Sequence, residues 1–221
     1  IFNSSGEIQI YGFTVSGYDL RLITTAVYRD PSAWYHIVLA CDTTQATASN
    51  RVRLYVNGSE VTSFTQDNRA SVITQNYTFS YMNQSGQIQS IGRSYNYGYY
   101  WDGYMAETIM VDGQQLAVTA FGSTNATTGV WQPARYTGTY GTNGFYLPFT
   151  NTTSTTTLGY DFSGNGNTWT TNNFSLTAGS TYDSMTDVPT LTDATTSNYS
   201  VINPLMGRNG VASQVTISNG N

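Results

Sequence analysis

The segment 51–64 constrains this chain more than any other. Val52, Leu54 and Val56 alternate with Arg51, Arg53 and Tyr55, a period of two that sets three aliphatic side chains on one face of a strand. Asn57-Gly58 follows without a break, and that pair takes the two φ > 0 conformations of a type I′ turn at little cost. Residues 59–64 then read as the returning strand, so 51–64 is predicted as a β-hairpin. Upstream, 34–41 is an almost unbroken apolar run, the length of a strand covered on both faces. Asp30-Pro31-Ser32 before it is a turn signal. Segments 7–15 and 18–27 are two further β segments joined through Ser16-Gly17, 87–92 is a shorter one, and 101–111 is strand-like between Asp102-Gly103 and Asp112-Gly113. Six or more strands at this spacing predict an all-β fold, a two-sheet antiparallel sandwich of the jelly-roll type.

Composition agrees. Helix formers are scarce, with three Glu and no Lys, while Thr, Val, Ile and Tyr are abundant. Charged residues make up 10% of the 221, against roughly 25% in an average soluble domain. Thr, Ser and Asn supply about a third of the chain and take over the surface that charge usually covers. The net charge of −5, with no cluster among the eight Arg, argues against a nucleic-acid partner, because nothing is placed to neutralise phosphates. No apolar run approaches the roughly 18 residues of a membrane helix, so no membrane insertion is expected. A single cysteine, Cys41, excludes an internal disulfide framework and a cysteine-ligated zinc.

The pattern changes near Pro148. Residues 1–148 read as the sandwich and 149–221 as a Thr/Ser/Asn-rich extended, irregular arm, or a linker towards a following domain. Residues 151–157 are nearly pure Thr, Ser and Asn, too polar to offset the roughly 1–2 kcal/mol per residue of backbone ordering on their own. The recurrence of Trp169, Phe174, Leu176, Tyr182, Val188 and Leu205 favours an arm packed on neighbouring surface.

Trp34-Tyr35-His36-Ile37-Val38, then Asp42, then Arg53-Leu54-Tyr55-Val56-Asn57-Gly58 resembles the strand–loop–hairpin signature of laminin-G-like, concanavalin-A-like jelly rolls. Ile91-Gly92-Arg93 and Trp101-Asp102-Gly103-Tyr104-Met105-Ala106-Glu107 resemble the later strand pair of those domains, with Trp101 where Phe is commonest. Thr128-Gly129-Val130-Trp131, Gly138-Thr139-Tyr140-Gly141 and Leu158-Gly159-Tyr160-Asp161-Phe162 look like structural proteins of marine bacteriophages, which carry such lectin-like domains in tail fibres or other virion appendages. The resemblance implies a place in the virion, outside any cell. Family members generally begin with further strands before the segment corresponding to Ile1, so an open sheet edge is expected here. Ile1 in place of Met, and relatives that run on past Asn221, are what a piece of a longer polypeptide would show.

The densest chemical feature is Tyr95-Asn96-Tyr97-Gly98-Tyr99-Tyr100-Trp101. Flat aromatic faces with hydrogen-bonding tips suit stacking on sugar rings, and rigid Tyr side chains lose little entropy on binding. Tyr95, Asn96, Tyr97, Tyr99, Tyr100 and Trp101 are therefore candidate carbohydrate-binding residues, with packing into the sandwich end or against a neighbouring subunit as the other reading. Asp161, Asn165 and Asn167 place short oxygen ligands at spacings a calcium loop could use, as, more weakly, do Asp42 and Asn50. Asx/Gly runs of this kind also form simple turns, and no other cofactor is indicated. Glu107 is read as structural, paired with Arg53 or Arg93, His36 as a hydrogen-bonded core residue, and Cys41 as a buried small hydrophobe.

No catalysis is expected. A glycosidase needs two facing carboxylates roughly 5–9.5 Å apart, supplied in jelly-roll glucanases as Glu-x-Asp-x-Glu, whereas Glu7, Glu60 and Glu107 each stand alone. The reading is a phage virion appendage module, of a tail fibre or spike, that recognises host cell-surface glycan. The alternative is a purely structural virion protein, a capsid decoration or fibre-shaft domain making contacts with other virion proteins. A homotrimer is expected by family analogy, since repetition turns weak sites into tight ones.

Overall fold

The computed structural model describes residues 2–14, 17–94, 98–177 and 183–184. Its strand pairings are antiparallel. Strands β1 (Glu7–Thr14) and β2 (Gly17–Val27) form the long hairpin expected around Ser16-Gly17. Strands β3 (Ile37–Cys41), β4 (Val52–Val56), β5 (Ser59–Glu60) and β6 (Phe64–Asp67) follow. They sort into two three-stranded sheets, in the orders β1-β2-β6 and β3-β4-β5.

The two sheets face each other across a dry layer. Leu20 and Leu22 of β2 meet Val52 of β4 and Ile73, while Ile8 of β1 meets Leu54 and Val56. Along β4, buried Val52, Leu54 and Val56 alternate with half-exposed Arg53 and Tyr55, as the period of two requires. Asn57 (φ 47°) and Gly58 (φ 78°) form the turn, and β5 returns with Ser59 opposite Val56. A Cβ on Gly58 would also collide with the Trp131 ring.

Three departures have physical causes. The returning strand ends at Glu60, because the chain crosses there to the other sheet and pairs with β2 as β6. The apolar run 34–41 becomes a strand only from Ile37, and Leu39 is 37% exposed, because β3 is an edge strand of its sheet. Segment 87–92 is irregular, and of 101–111 only β9 (Thr108–Met110) is a strand. The short ribbon there is instead β7 (Arg93–Ser94) with β8 (Tyr99–Tyr100). Glu107, at φ 53°, breaks the extended backbone just before β9, a conformation few non-glycine residues adopt.

Two one-turn helices, α1 (Ala48–Arg51) and α2 (Arg69–Val72), each carry a buried arginine. Arg51 donates to the carbonyls of Gln45, Ala46 and Ile73. Arg69 donates to the Asp67 carboxylate and to the carbonyls of Ser49 and Val52. Buried guanidinium groups are tolerable because their donors are matched in this way.

Strands β10 (Gly122–Thr124) and β11 (Trp131–Pro133) form a second ribbon, and β12 (Phe145–Leu147) pairs with β9. Tyr136, Tyr140 and Tyr146 form a separate aromatic core there. Beyond Pro148 the described residues hold one 3₁₀ turn, Thr156–Gly159. Leu158 is buried, and Trp169 packs edge-on against Phe145 at 5.0 Å. The expected contacts of Tyr182, Val188 and Leu205 lie outside the described residues. Among the described residues no helix is long and apolar enough to cross a membrane.

Candidate functional site

The β7–β8 ribbon presents the aromatic candidates. Arg93 lies opposite Tyr100 and Ser94 opposite Tyr99. The turn closes through Gly98, at φ 64°, whose N–H donates to Ser94 O at 3.1 Å. The ladder continues one step further, with Trp101 N–H donating to Gly92 O at 2.8 Å. Tyr99 is 72% and Tyr100 67% exposed, unusual for two consecutive aromatic residues unless the rings have something to meet. The Arg93 guanidinium lies 5.5 Å from the centroid of the Tyr100 ring, a cation–π contact that helps hold the ring in place.

Trp101 anchors this face to the core. Its ring lies 5.7 Å from Phe2, inclined at 36°. Phe2 in turn touches Tyr35 and Tyr28, and all three pack against the cluster of Ile8, Leu54 and Val56. An exposed aromatic edge is thus backed by a continuous chain of rings, which limits the ordering cost of binding. Of the six residues singled out by sequence, Tyr99, Tyr100 and Trp101 come together on this ribbon. Tyr95, Asn96 and Tyr97 lie outside the described residues.

Sequence reasoning misses two contributors, Phe2 and Arg93. Phe2 is 99 positions away along the chain and carries no local signal. Arg93 has no sequence signal for its contact with the Tyr100 ring, and Tyr104, three positions past Trp101, is 66% exposed. A second cluster also carries no sequence signal: the rings of Tyr11, Phe13 and Tyr18 pack at 5.0–6.1 Å in tilted pairs, with Arg21 over Tyr11 and Tyr18.

The loop 161–167 is closed by hydrogen bonds onto the Asp161 carboxylate. Asp161 Oδ1 accepts from the N–H groups of Tyr146 and Ser163, and Oδ2 from the Ser163 hydroxyl and Asn167 N–H. Both carboxylate oxygens are thus engaged by two donors each. Asn165 donates its side-chain amide to the carbonyls of Gly141 and Gly144, and Asn167 to those of Thr142 and Gly144. The three residues therefore tie the loop to the segment leading into β12. Asp42 is spent similarly, accepting from Thr44 and Gln45, while Asn50 accepts from Arg53.

Burial pushes the Asp161 carboxyl up, but the donors of Tyr146, Ser163 and Asn167 outweigh it and hold it below its ordinary value. A carboxyl depressed in the folded state stabilises the fold above the unfolded value near pH 3.9 and loses that contribution as pH falls through the folded value. Asp161→Asn is accordingly expected to cost about 1 kcal/mol at pH 7, with the gap to wild type narrowing by pH 3 in urea titrations. Neither EDTA nor added calcium is expected to shift the melting temperature.

The remaining polar candidates have structural partners. Glu107 is not held by Arg53: Tyr146 donates its hydroxyl to Glu107 Oε1 at 2.7 Å, and Arg53 faces Glu60 at 3.7 Å. Burial first, and then Glu107, push the Tyr146 hydroxyl well above its ordinary value. Glu7 accepts from Asn3 at 2.7 Å. His36 is half-buried just before β3, outside the strand and core expected for it, and its Nδ1 accepts from Trp131 Nε1–H at 3.1 Å. Burial lowers the His36 pKa and pushes the Cys41 thiol up to about 11, which leaves Cys41 a poor nucleophile.

Residues 1–114 match the family model of the concanavalin A-like lectin/glucanases superfamily, of the Laminin_G_3 type, and the chain belongs to that superfamily. The matched span holds both facing sheets and the β7–β8 ribbon. No curated protein and no solved structure matches the chain.

Proposed function

We propose that this chain is a non-catalytic carbohydrate-recognition module, and that its β7–β8 ribbon is the contact surface. The observation that carries the reading is the display of Tyr99 and Tyr100 on a hydrogen-bonded ribbon, beside a Trp101 backed by Phe2. Sugar rings stack their C–H faces on such side chains, and the hydroxyl tips supply hydrogen bonds. Membership of a superfamily of lectins and glucanases is compatible with this. The binding role is preferred over hydrolysis because Glu7, Glu60 and Glu107 are each engaged by a structural neighbour.

The motifs resembling marine phage structural proteins extend the proposal to a jelly-roll module of a tail fibre or spike, trimeric and contacting host cell-surface glycan. The alternative is a purely structural virion module, favoured by exposed apolar side chains away from the ribbon, such as Val130 at 60% and Phe174 at 50%. Glycan-array and whole-cell binding by the 221-residue chain separates the two. Saturable binding to a defined glycan supports recognition. Silence on every glycan and cell, with the chain incorporated into particles, supports the scaffold.

A further inference from the structure

The β1–β2 hairpin slips in register between Gly12 and Phe13. Gly12 pairs with Leu20 and Phe13 with Tyr18, leaving Asp19 as the extra residue of a bulge. The extra residue resets the alternation of faces. Tyr18 stays outside, 50% exposed, while Asp19 and Leu20 are only 2% and 3% exposed. Gly12 makes the room, because a Cβ there would collide with Asp19 Oδ1.

The carboxylate so placed is half satisfied. Tyr77 donates its hydroxyl to Oδ2 at 3.1 Å, but Oδ1 is buried without a hydrogen-bond partner. The ion pairs among the described residues are Arg53 with Glu60 and Arg69 with Asp67, so no ion pair neutralises Asp19. A buried, unpaired carboxylate oxygen is costly and calls for an explanation. Asp19 lines a cleft of about 460 Å³ together with Tyr11, Phe13, Phe79, Tyr81 and Met82. That volume lies within the range of small-molecule sites.

We propose that this cleft binds a small ligand carrying a protonated amine, whose N–H donates to Asp19 Oδ1 while its carbon skeleton lies against the aromatic walls. A neutral hydroxyl would satisfy the oxygen but leave the charge uncompensated. An ammonium group does both, and aromatic ring faces attract it further. The site shares no residue with the β7–β8 ribbon and does not depend on the function proposed for it.

The test is calorimetric titration of the full chain at 150 mM salt with D-glucosamine and ethanolamine as amines, and with D-glucose and N-acetyl-D-glucosamine as neutral analogues. At least one amine is expected to bind at least tenfold more tightly than both neutral sugars. Asp19→Asn should weaken that binding at least tenfold. Ile88→Lys should weaken it severalfold and leave the fold intact, since Ile88 also lines the cleft and is 62% exposed. Ile88→Lys decides the matter if Asp19→Asn does not fold. Affinity unaltered in either folded variant, glucose binding as well as glucosamine, or no heat with either amine at 10 mM would overturn the proposal. The two amines also distinguish an amino sugar from a generic amine as the source of the group.

Discussion

Tyr99 and Tyr100 replaced together by alanine are expected to lower glycan affinity by at least tenfold and to leave the melting temperature almost unchanged. The two halves of this expectation come from the same geometry. Both rings are mostly in water, so their removal forfeits little buried area. A sugar stacked on them loses its contact faces, at about 1 kcal/mol per ring, roughly fivefold each. Trp101→Ala should behave differently. Its ring touches Phe2, so it should lose affinity and stability together, whereas Tyr104→Ala should affect binding alone. Retained affinity in the double Tyr variant would remove the ribbon from the site.

The largest effect on stability is expected at Leu54. It is fully buried at the middle of β4, between Ile8 of the opposite sheet and Val56 of its own. Leu54→Ala removes methyl groups from the layer joining the two sheets and leaves a cavity that the paired strands cannot close. A cost of about 3 kcal/mol follows, or about 10 °C in melting temperature for a chain of this size. Leu39 provides the internal control. It lies opposite Leu54 in the β3–β4 ladder but is 37% exposed at the sheet edge, so Leu39→Ala should cost less than half as much. Equal losses at the two positions would mean that the sheets do not pack as described.

Much of the frame was legible because its signals are local. Alternation through Val52, Leu54 and Val56, and the φ > 0 preference of Asn57-Gly58, need no partner to be recognised. What failed was long-range. Nothing within 59–67 tells the chain to leave β4 after Glu60 and join β2. The apolar run 34–41 looks doubly covered until β3 proves to be an edge strand. Glu107 needs a partner by its place in the chain, but its partner Tyr146 lies 39 positions downstream, and a hydroxyl partner leaves no charge pattern to find.

The candidate site divides in the same way. Consecutive aromatic residues at 99–101 stood out by composition, whereas their support by Phe2 depends on tertiary contact. Asp161, Asn165 and Asn167 were noticed for the right reason, dense oxygen and amide groups in a Gly-rich turn. Their hydrogen bonds to backbone groups of 141–146 depend on tertiary contact and cannot be read from spacing. Asp19 passed unnoticed, because a bulge moves one side chain to the other face and a strict period of two hides it.

The most direct test is an NMR titration of the labelled chain with whichever glycan the array selects, following the ring protons of every Tyr and Trp. Contact at the ribbon requires the largest saturation transfer and shift changes at Tyr99, Tyr100 and Trp101, with Tyr136 and Tyr140 unmoved in their core. Saturable binding that leaves those three rings silent would contradict the account.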